Sequence, residues 1–193
     1  MRKHSLILSA IVLAVVQIGF LSWIIAGRAA VLRDGREVLF KVAPVDPRDL
    51  LRGDYVRLSF DIDAIPHAMI ENAATDTITT DAGTIYVRVK EGADGYWHLL
   101  LASFDKPPVT PPAPEDVDLR GTIHSGRSFG PGTTIDVDYG LDRFYLPEGE
   151  GRAVEHDMNT RPFGVKVAVA EDGTPQIKAL MDGEAVLFEE PLY

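Results

Sequence analysis

The sequence predicts a mainly β fold: an antiparallel β-sandwich or barrel-like domain with little helix, preceded by one N-terminal transmembrane helix. Three observations carry this reading. The first is an uncharged run from Ser5 to Ala26, long enough as a helix of about 1.5 Å per residue to cross a hydrocarbon core of roughly 30 Å. The second is a succession of short segments in which apolar and polar residues alternate, the period of a half-buried strand. The third is the punctuation between them, where Asp-Gly pairs and Gly-Pro-Gly recur at strand-like spacing. At 193 residues the length favours one folded domain plus an extra segment. The chain divides into a cytoplasmic stub (1–4), a signal anchor (5–26), a juxtamembrane linker (27–36) and an extracytoplasmic β-rich domain (37–193).

Charge orients the anchor. Arg2, Lys3 and the α-amino group lie on the short N-terminal side, so the positive-inside rule keeps that end cytoplasmic. Trp23 suits the interfacial belt near the far end of the run. Arg28, Arg33 and Arg36 weaken the bias, but Asp34 and Glu37 are interleaved with them. The rival is a cleaved signal peptide, for which Gly27-Arg28-Ala29 is a poor site. Signal h-regions span about 7–15 residues, shorter than this run, so an uncleaved single-pass anchor in the cytoplasmic (inner) membrane is the favoured reading. A buried helix of a soluble protein is the other alternative, yet nothing else in the chain would cover so apolar a rod.

The absence of cysteine rules out a disulfide framework, thiolate metal sites and lipid attachment through sulfur. Acid is concentrated beyond residue 30, where sixteen basic residues face twenty-nine acidic ones, a net of −13 against −10 for the whole chain. So acidic a surface repels phosphate backbones, which excludes nucleic acid as a partner, and disfavours lying flat on anionic lipid.

The segments follow in order. Arg33-Asp34-Gly35-Arg36 reads as a tight turn feeding a strand at 37–42. The stretch 63–83 is polar and Ala/Thr-rich, with a short helix starting at Pro66 and a mobile Thr-rich second half. Residues 84–90 and 96–104 form a hairpin about Asp94-Gly95. Five prolines between 107 and 114 make the next connection stiff, extended and poor in hydrogen bonds; a docking site for an aromatic-lined groove is the less favoured alternative there. Strands are expected at 118–125, 133–139 and 143–146, helical turns within 148–158, and strands again at 164–169, 176–180 and 185–188. Asp172-Gly173 and Asp182-Gly183 supply the last two turns.

The best-marked passage is 44–62. Asp46-Pro47 and Arg48-Asp49 supply turn chemistry, and Gly53 falls where a positive φ is expected. Tyr55, Arg57 and Ser59 then fall on one face and Val56, Leu58 and Phe60 on the other. Gly53-Asp54-Tyr55-Val56-Arg57-Leu58-Ser59-Phe60 resembles the signature of the GDYXXLXY family, with Phe60 in the place of its last tyrosine. The run Tyr139 to Gly151, which contains Arg143, Tyr145, Glu148 and Gly149, is similar to that family's second marked block. The resemblance implies a membrane-anchored protein of no established activity that accompanies multi-spanning membrane proteins. It brings no catalytic residue with it.

Candidate chemistry is sparse. Gly53-Asp54 also resembles, loosely, the nucleophile region of membrane-anchored signal peptidases, but Val45 stands where their serine would be, leaving nothing for a base to activate. Asp54 reads as a carboxylate closing the Gly53 turn, or as one gripping a cation. An Arg143–Asp54 or Arg143–Glu148 pair suits the arginine fork. Arg52-Gly53-Asp54 spells an integrin-recognition triplet that turn chemistry already explains. The five histidines show no zinc spacing, although His98 and His124 might meet across adjacent strands. Asp61-x-Asp63 and Asp136-x-Asp138 hint at calcium but lack a full loop signature.

The reading is therefore a membrane-anchored binding or accessory domain. Its expected partners are the lipid bilayer, through residues 5–26, and an integral membrane protein. The candidate surface is Gly53, Asp54, Tyr55, Leu58, Phe60, Arg143, Tyr145, Glu148 and Gly149, with no cofactor, metal or catalytic residue assigned. The alternatives are a cell-envelope hydrolase using Asp54, Glu148 and a histidine, and a solute-binding module.

Overall fold

The computed structural model describes residues 2–43, 55–126, 128–147, 149–150, 154, 157 and 161–191. It opens with α1 (Arg2–Asp34), followed by β1 (Arg36–Ala43), β2 (Tyr55–Arg57), β3 (Ser59–Phe60) and β4 (Ala64–Pro66). Then come β5 (Ile78–Thr79), β6 (Gly83–Glu91), β7 (Trp97–Phe104), β8 (Val117–Ile123) and β9 (Ser128–Phe129). The chain closes with β10 (Thr134–Asp138), β11 (Arg143–Tyr145), β12 (Phe163–Val169), β13 (Pro175–Asp182) and β14 (Ala185–Glu189). One five-stranded sheet runs β14-β13-β12-β1-β3 and another β4-β10-β8-β6-β7, with β11-β2 and β5-β9 as two-stranded ribbons. Pairing between the strands is antiparallel, and together they make a nearly closed, barrel-like sheet. Both large sheets feed one core, with Val38, Phe40, Val165, Val167 and Leu180 from the first and Ile85, Val87, Leu119 and Ile135 from the second.

The apolar helix is long enough to cross a membrane and is exposed from Ile7 to Arg28, so it is no core element of the domain. It then continues through 27–34, where the sequence suggested a linker and an Asp-Gly turn. Alanine, leucine and arginine sustain helix there, and Leu32 is buried, with this end of α1 lying against β12 and β13. Gly35 closes the helix by donating to the Val31 carbonyl at 2.9 Å. Its φ is not positive; close approach is what demands glycine, since a Cβ there would stand 2.4 Å from the Val31 oxygen and 3.1 Å from that of Val169.

Most expected strands are present, and the differences have physical causes. The alternation across 55–60 holds, with Val56, Leu58 and Phe60 buried, but the strand breaks at Leu58 because its two halves join different partners: β2 pairs with β11 and β3 with β1. The stretch expected to be mobile is paired instead, Ile78 opposite Phe129 and Thr79 opposite Ser128. Alternation also puts Arg88 on the solvent face of β6, whereas it is 1% exposed. The proline-rich connection covers it. Arg88 forks onto Asp118 at 2.6 and 2.8 Å and reaches the Thr110 carbonyl. Arg36 holds the carbonyls of Pro114 and Glu115 at 2.8 and 2.7 Å, and Glu71 accepts the Val109 amide at 2.7 Å. A segment that cannot pair with itself is thus fixed by side chains.

Candidate functional site

The two marked blocks, far apart in sequence, meet in the β2–β11 ribbon. Arg143 stands opposite Arg57, Phe144 opposite Val56, and Tyr145 opposite Tyr55. The period of two sends Val56 and Phe144 into the core and turns the other four side chains outward. Two further ties fasten the blocks: the Leu58 amide donates to the Asp142 carbonyl at 2.9 Å, and the buried Tyr139 hydroxyl donates to the Ile62 carbonyl at 2.9 Å. Burial first, and the neighbouring Asp63 charge second, push the Tyr139 phenol well above its ordinary value, so it serves as a neutral donor.

The outward face is aromatic and cationic. The Tyr55 and Tyr145 rings lie 6.0 Å apart, tilted by 54°, and the Arg143 guanidinium sits 5.8 Å from the Tyr55 ring centre. Arg143 pairs with its neighbour Asp142 at 3.1 Å, and that charge, followed by a hydrogen bond to Tyr145, raises its pKa. The expected partners Asp54 and Glu148 lie outside the described residues, as does Gly53. Arg57 has no ion-pair partner among the described residues and faces Arg143 directly, an arrangement that costs stability. The sequence reading passed over Arg57, although its register with Tyr55 would have found it.

The remaining candidates divide by side. Leu58 and Phe60 are core residues, Phe60 packing on Phe40 at 5.8 Å, so the missing tyrosine hydroxyl belongs to a buried position. Gly149 has a φ of 95° and serves a turn. Beside the ribbon, Arg28 of α1 joins Asp142, Arg143, Tyr145, Gln176 and Glu190 around a cavity of about 370 Å³. The helix exit and the second block therefore share one site.

Other groupings resolve more plainly. Asp63, Asp136 and Asp138 line a pocket of about 240 Å³, which the sequence could not bring together. Burial first raises the Asp63 pKa, but its carboxylate is engaged by the Phe60 amide at 2.7 Å and the Ser59 hydroxyl at 3.2 Å, a turn-closing role. No group of three or more histidine or acidic residues among those described is placed to hold a metal ion. His98 bonds Asp94 at 3.0 Å and His124 lies 4.0 Å from Asp138; they sit at strands separated by β6, so they do not meet.

A family model described as GDYXXLXY protein matches residues 17–180. The chain belongs to the GDYXXLXY family. Neither the curated proteins nor the solved structures gave a match. The matched region starts inside α1 and ends in β13, so it takes in the helix exit, the ribbon and the cavity lining apart from Glu190.

Proposed function

We propose that this GDYXXLXY protein is a membrane-anchored accessory domain that binds an integral membrane protein. In this reading residues 1–4 are cytoplasmic, 5–26 cross the inner membrane, 27–36 join anchor to domain, and 37–193 fold outside the cytoplasm. Arg2 and Lys3 before the run support that orientation.

The observation that carries the proposal is the outward face of the β2–β11 ribbon at the foot of α1. Tyr55, Arg57, Arg143 and Tyr145 share it, and tyrosine and arginine are the residues most enriched where interfaces draw their energy. Arg57, set opposite Arg143 and without an ion-pair partner among the described residues, calls for a carboxylate from outside. Position adds to composition: a ribbon beside Arg28 lies within reach of a neighbour embedded in the same bilayer. Gly53, Asp54, Glu148 and Gly149 would border this surface as the rest of the two blocks.

Purification of the intact chain in mild detergent after brief cross-linking tests the reading. A multi-spanning protein should be recovered with the wild type and lost with Arg57→Ala or Tyr145→Ala. Recovery of no membrane protein, or recovery indifferent to both substitutions, would show the reading to be wrong.

A further inference from the structure

The cavity between α1 and the ribbon has features that a protein-docking face does not need. It lies at a particular height. The proposed span ends at Ala26, and at about 1.5 Å per residue Arg28 stands roughly 3 Å further along the axis. A bilayer of roughly 40–45 Å with a hydrocarbon core of about 30 Å leaves about 5–7 Å of headgroup on each side. Arg28, and the cavity it lines, fall in that layer once α1 spans the membrane.

Its charges come in two signs. Arg28 and Arg143 supply guanidiniums, while Asp142 and Glu190 supply carboxylates. Glu190 is enclosed, its side chain only 16% exposed, yet its cation Arg28 is 3.9 Å away. Charge-assisted hydrogen bonds close to about 2.7–2.9 Å, so both members of this pair retain bonding capacity. Gln176 also lines the cavity, and its buried Oε1 has no hydrogen-bond partner among the described residues. A buried acceptor in that condition calls for an N–H donor. Tyr145, 66% exposed, offers a ring face at the rim, where a cation is attracted by the ring quadrupole. At about 370 Å³ the cavity has room for a ligand of several heavy atoms.

The geometry points to a binding site for a phosphate–ammonium zwitterion, the headgroup of a phosphatidylethanolamine in the leaflet around α1. The phosphate lies between Arg28 and Arg143, whose planar forks match its oxygens. The primary ammonium donates to Glu190 and Gln176. A headgroup without net charge also suits a domain carrying thirteen excess acids beyond residue 30, which repels an anionic lipid. The inference rests on the reading of α1 as a membrane span, and Arg143 and Tyr145 are common to this cavity and to the proposed docking face.

The test uses the full chain, stripped of lipid in detergent and then exposed to equal mole fractions of phosphatidylethanolamine, phosphatidylcholine and phosphatidylglycerol. Lipid retained after dilution is counted by native mass spectrometry. Phosphatidylethanolamine should be retained about ten-fold over the other two, as loss of one charge-assisted hydrogen bond implies. Glu190→Gln, which loses the ammonium contact, should abolish that preference, whereas Arg143→Gln, which loses the phosphate contact common to the three lipids, should lower retention of all of them. Equal retention of the three lipids, preference for the anionic one, a preference unchanged by Glu190→Gln, or retention indifferent to Arg143→Gln overturns the inference. Displacement of the lipid by soluble phosphoethanolamine at equal concentration overturns the assignment to a membrane headgroup. Alkaline extraction of native membranes, run alongside, separates the two readings. Release of the chain would sink the span, whereas a retained chain with no headgroup preference sinks the cavity assignment alone.

Discussion

Tyr55 and Tyr145 stand directly opposite each other across the β2–β11 ribbon, and Arg143 reaches from the next position outward over the Tyr55 ring. The pair joins the two marked blocks of the sequence on their exposed side while Val56 and Phe144 join them in the core. Surface and core contributions can therefore be separated by neighbouring substitutions. Phe144→Ala should lower stability by about 3–5 kcal/mol, the cost of emptying a buried aromatic site. Tyr145→Ala should cost no more than about 1.5 kcal/mol, the ring-pair contribution, yet reduce recovery of the proposed membrane partner about ten-fold. Thermal melts and pull-downs on the same preparations check both halves.

Arg88 is the most consequential charge inside the domain. Its fork on Asp118 and its bond to the Thr110 carbonyl pin the proline-rich connection over β6. Arg88→Ala leaves Asp118 and that carbonyl without their cation, so a loss of about 3–5 kcal/mol is expected. Arg88→Met, which fills similar volume, should lose less if Asp118 is changed to Asn with it. Denaturant midpoints of the three variants in detergent decide this.

Two carboxyls should give opposite pH responses. Glu37 is held below its ordinary 4.5 first by its hydrogen bond from Lys178 and also by Lys166. Its contribution is present above about pH 4.5 and disappears as pH falls through the lowered folded value; it is half-exposed, so well under about 1 kcal/mol is expected. Asp63 is raised above its ordinary 3.8 by burial. Ionisation then costs folded-state stability near neutrality, and that cost is relieved as pH falls through the raised value toward about 3.8. Measured from pH 7 to pH 4, the advantage of wild type over Glu37→Gln should shrink, while wild type should gain relative to Asp63→Asn.

Gly35 admits no side chain. Gly35→Ala would place a methyl 2.4 Å from the Val31 carbonyl, and overpacking of this kind costs about 1–3 kcal/mol. The expected signature is a lowered melting temperature with a broadened distance between spin labels at Arg33 and Glu184. A sharp, unshifted distance would show that the junction absorbs the methyl.

Much of this fold is legible because strands announce themselves by alternation and by the turns between them. Residues 84–90, 164–169 and 176–180 were marked in this way, as were Gly173 and Gly183, whose φ values of 85° and 61° close hairpins. What stayed hidden depends on contacts distant in sequence. The two- and three-residue strands Ala64–Pro66, Ile78–Thr79 and Ser128–Phe129 carry too few positions for a period. Arg88 looked solvated because nothing local shows that a loop of prolines will fold over it. The register of Tyr55–Arg57 on Arg143–Tyr145 was foreshadowed by the fit of the Arg143 fork to Asp54 of the first block, and so was visible in part. The approach of Arg28, Gln176 and Glu190 to the same place was not, since three separate segments converge there.

The unbroken helix from Arg2 to Asp34, seated on the domain through Leu32, makes the anchor a shaft rather than a tether. Each residue of an α-helix turns the chain by about 100°. On the proposed span, the compass bearing of the domain around the membrane normal would be set by the number of residues between Trp23 and Leu32. One inserted alanine would swing the ribbon away from any neighbour it now faces, and three or four, completing a turn of about 3.6 residues, would bring it back one step higher. Partner recovery that rises and falls with insertion length on this period would be the mark of a protein whose bearing, as much as its surface, selects its neighbour.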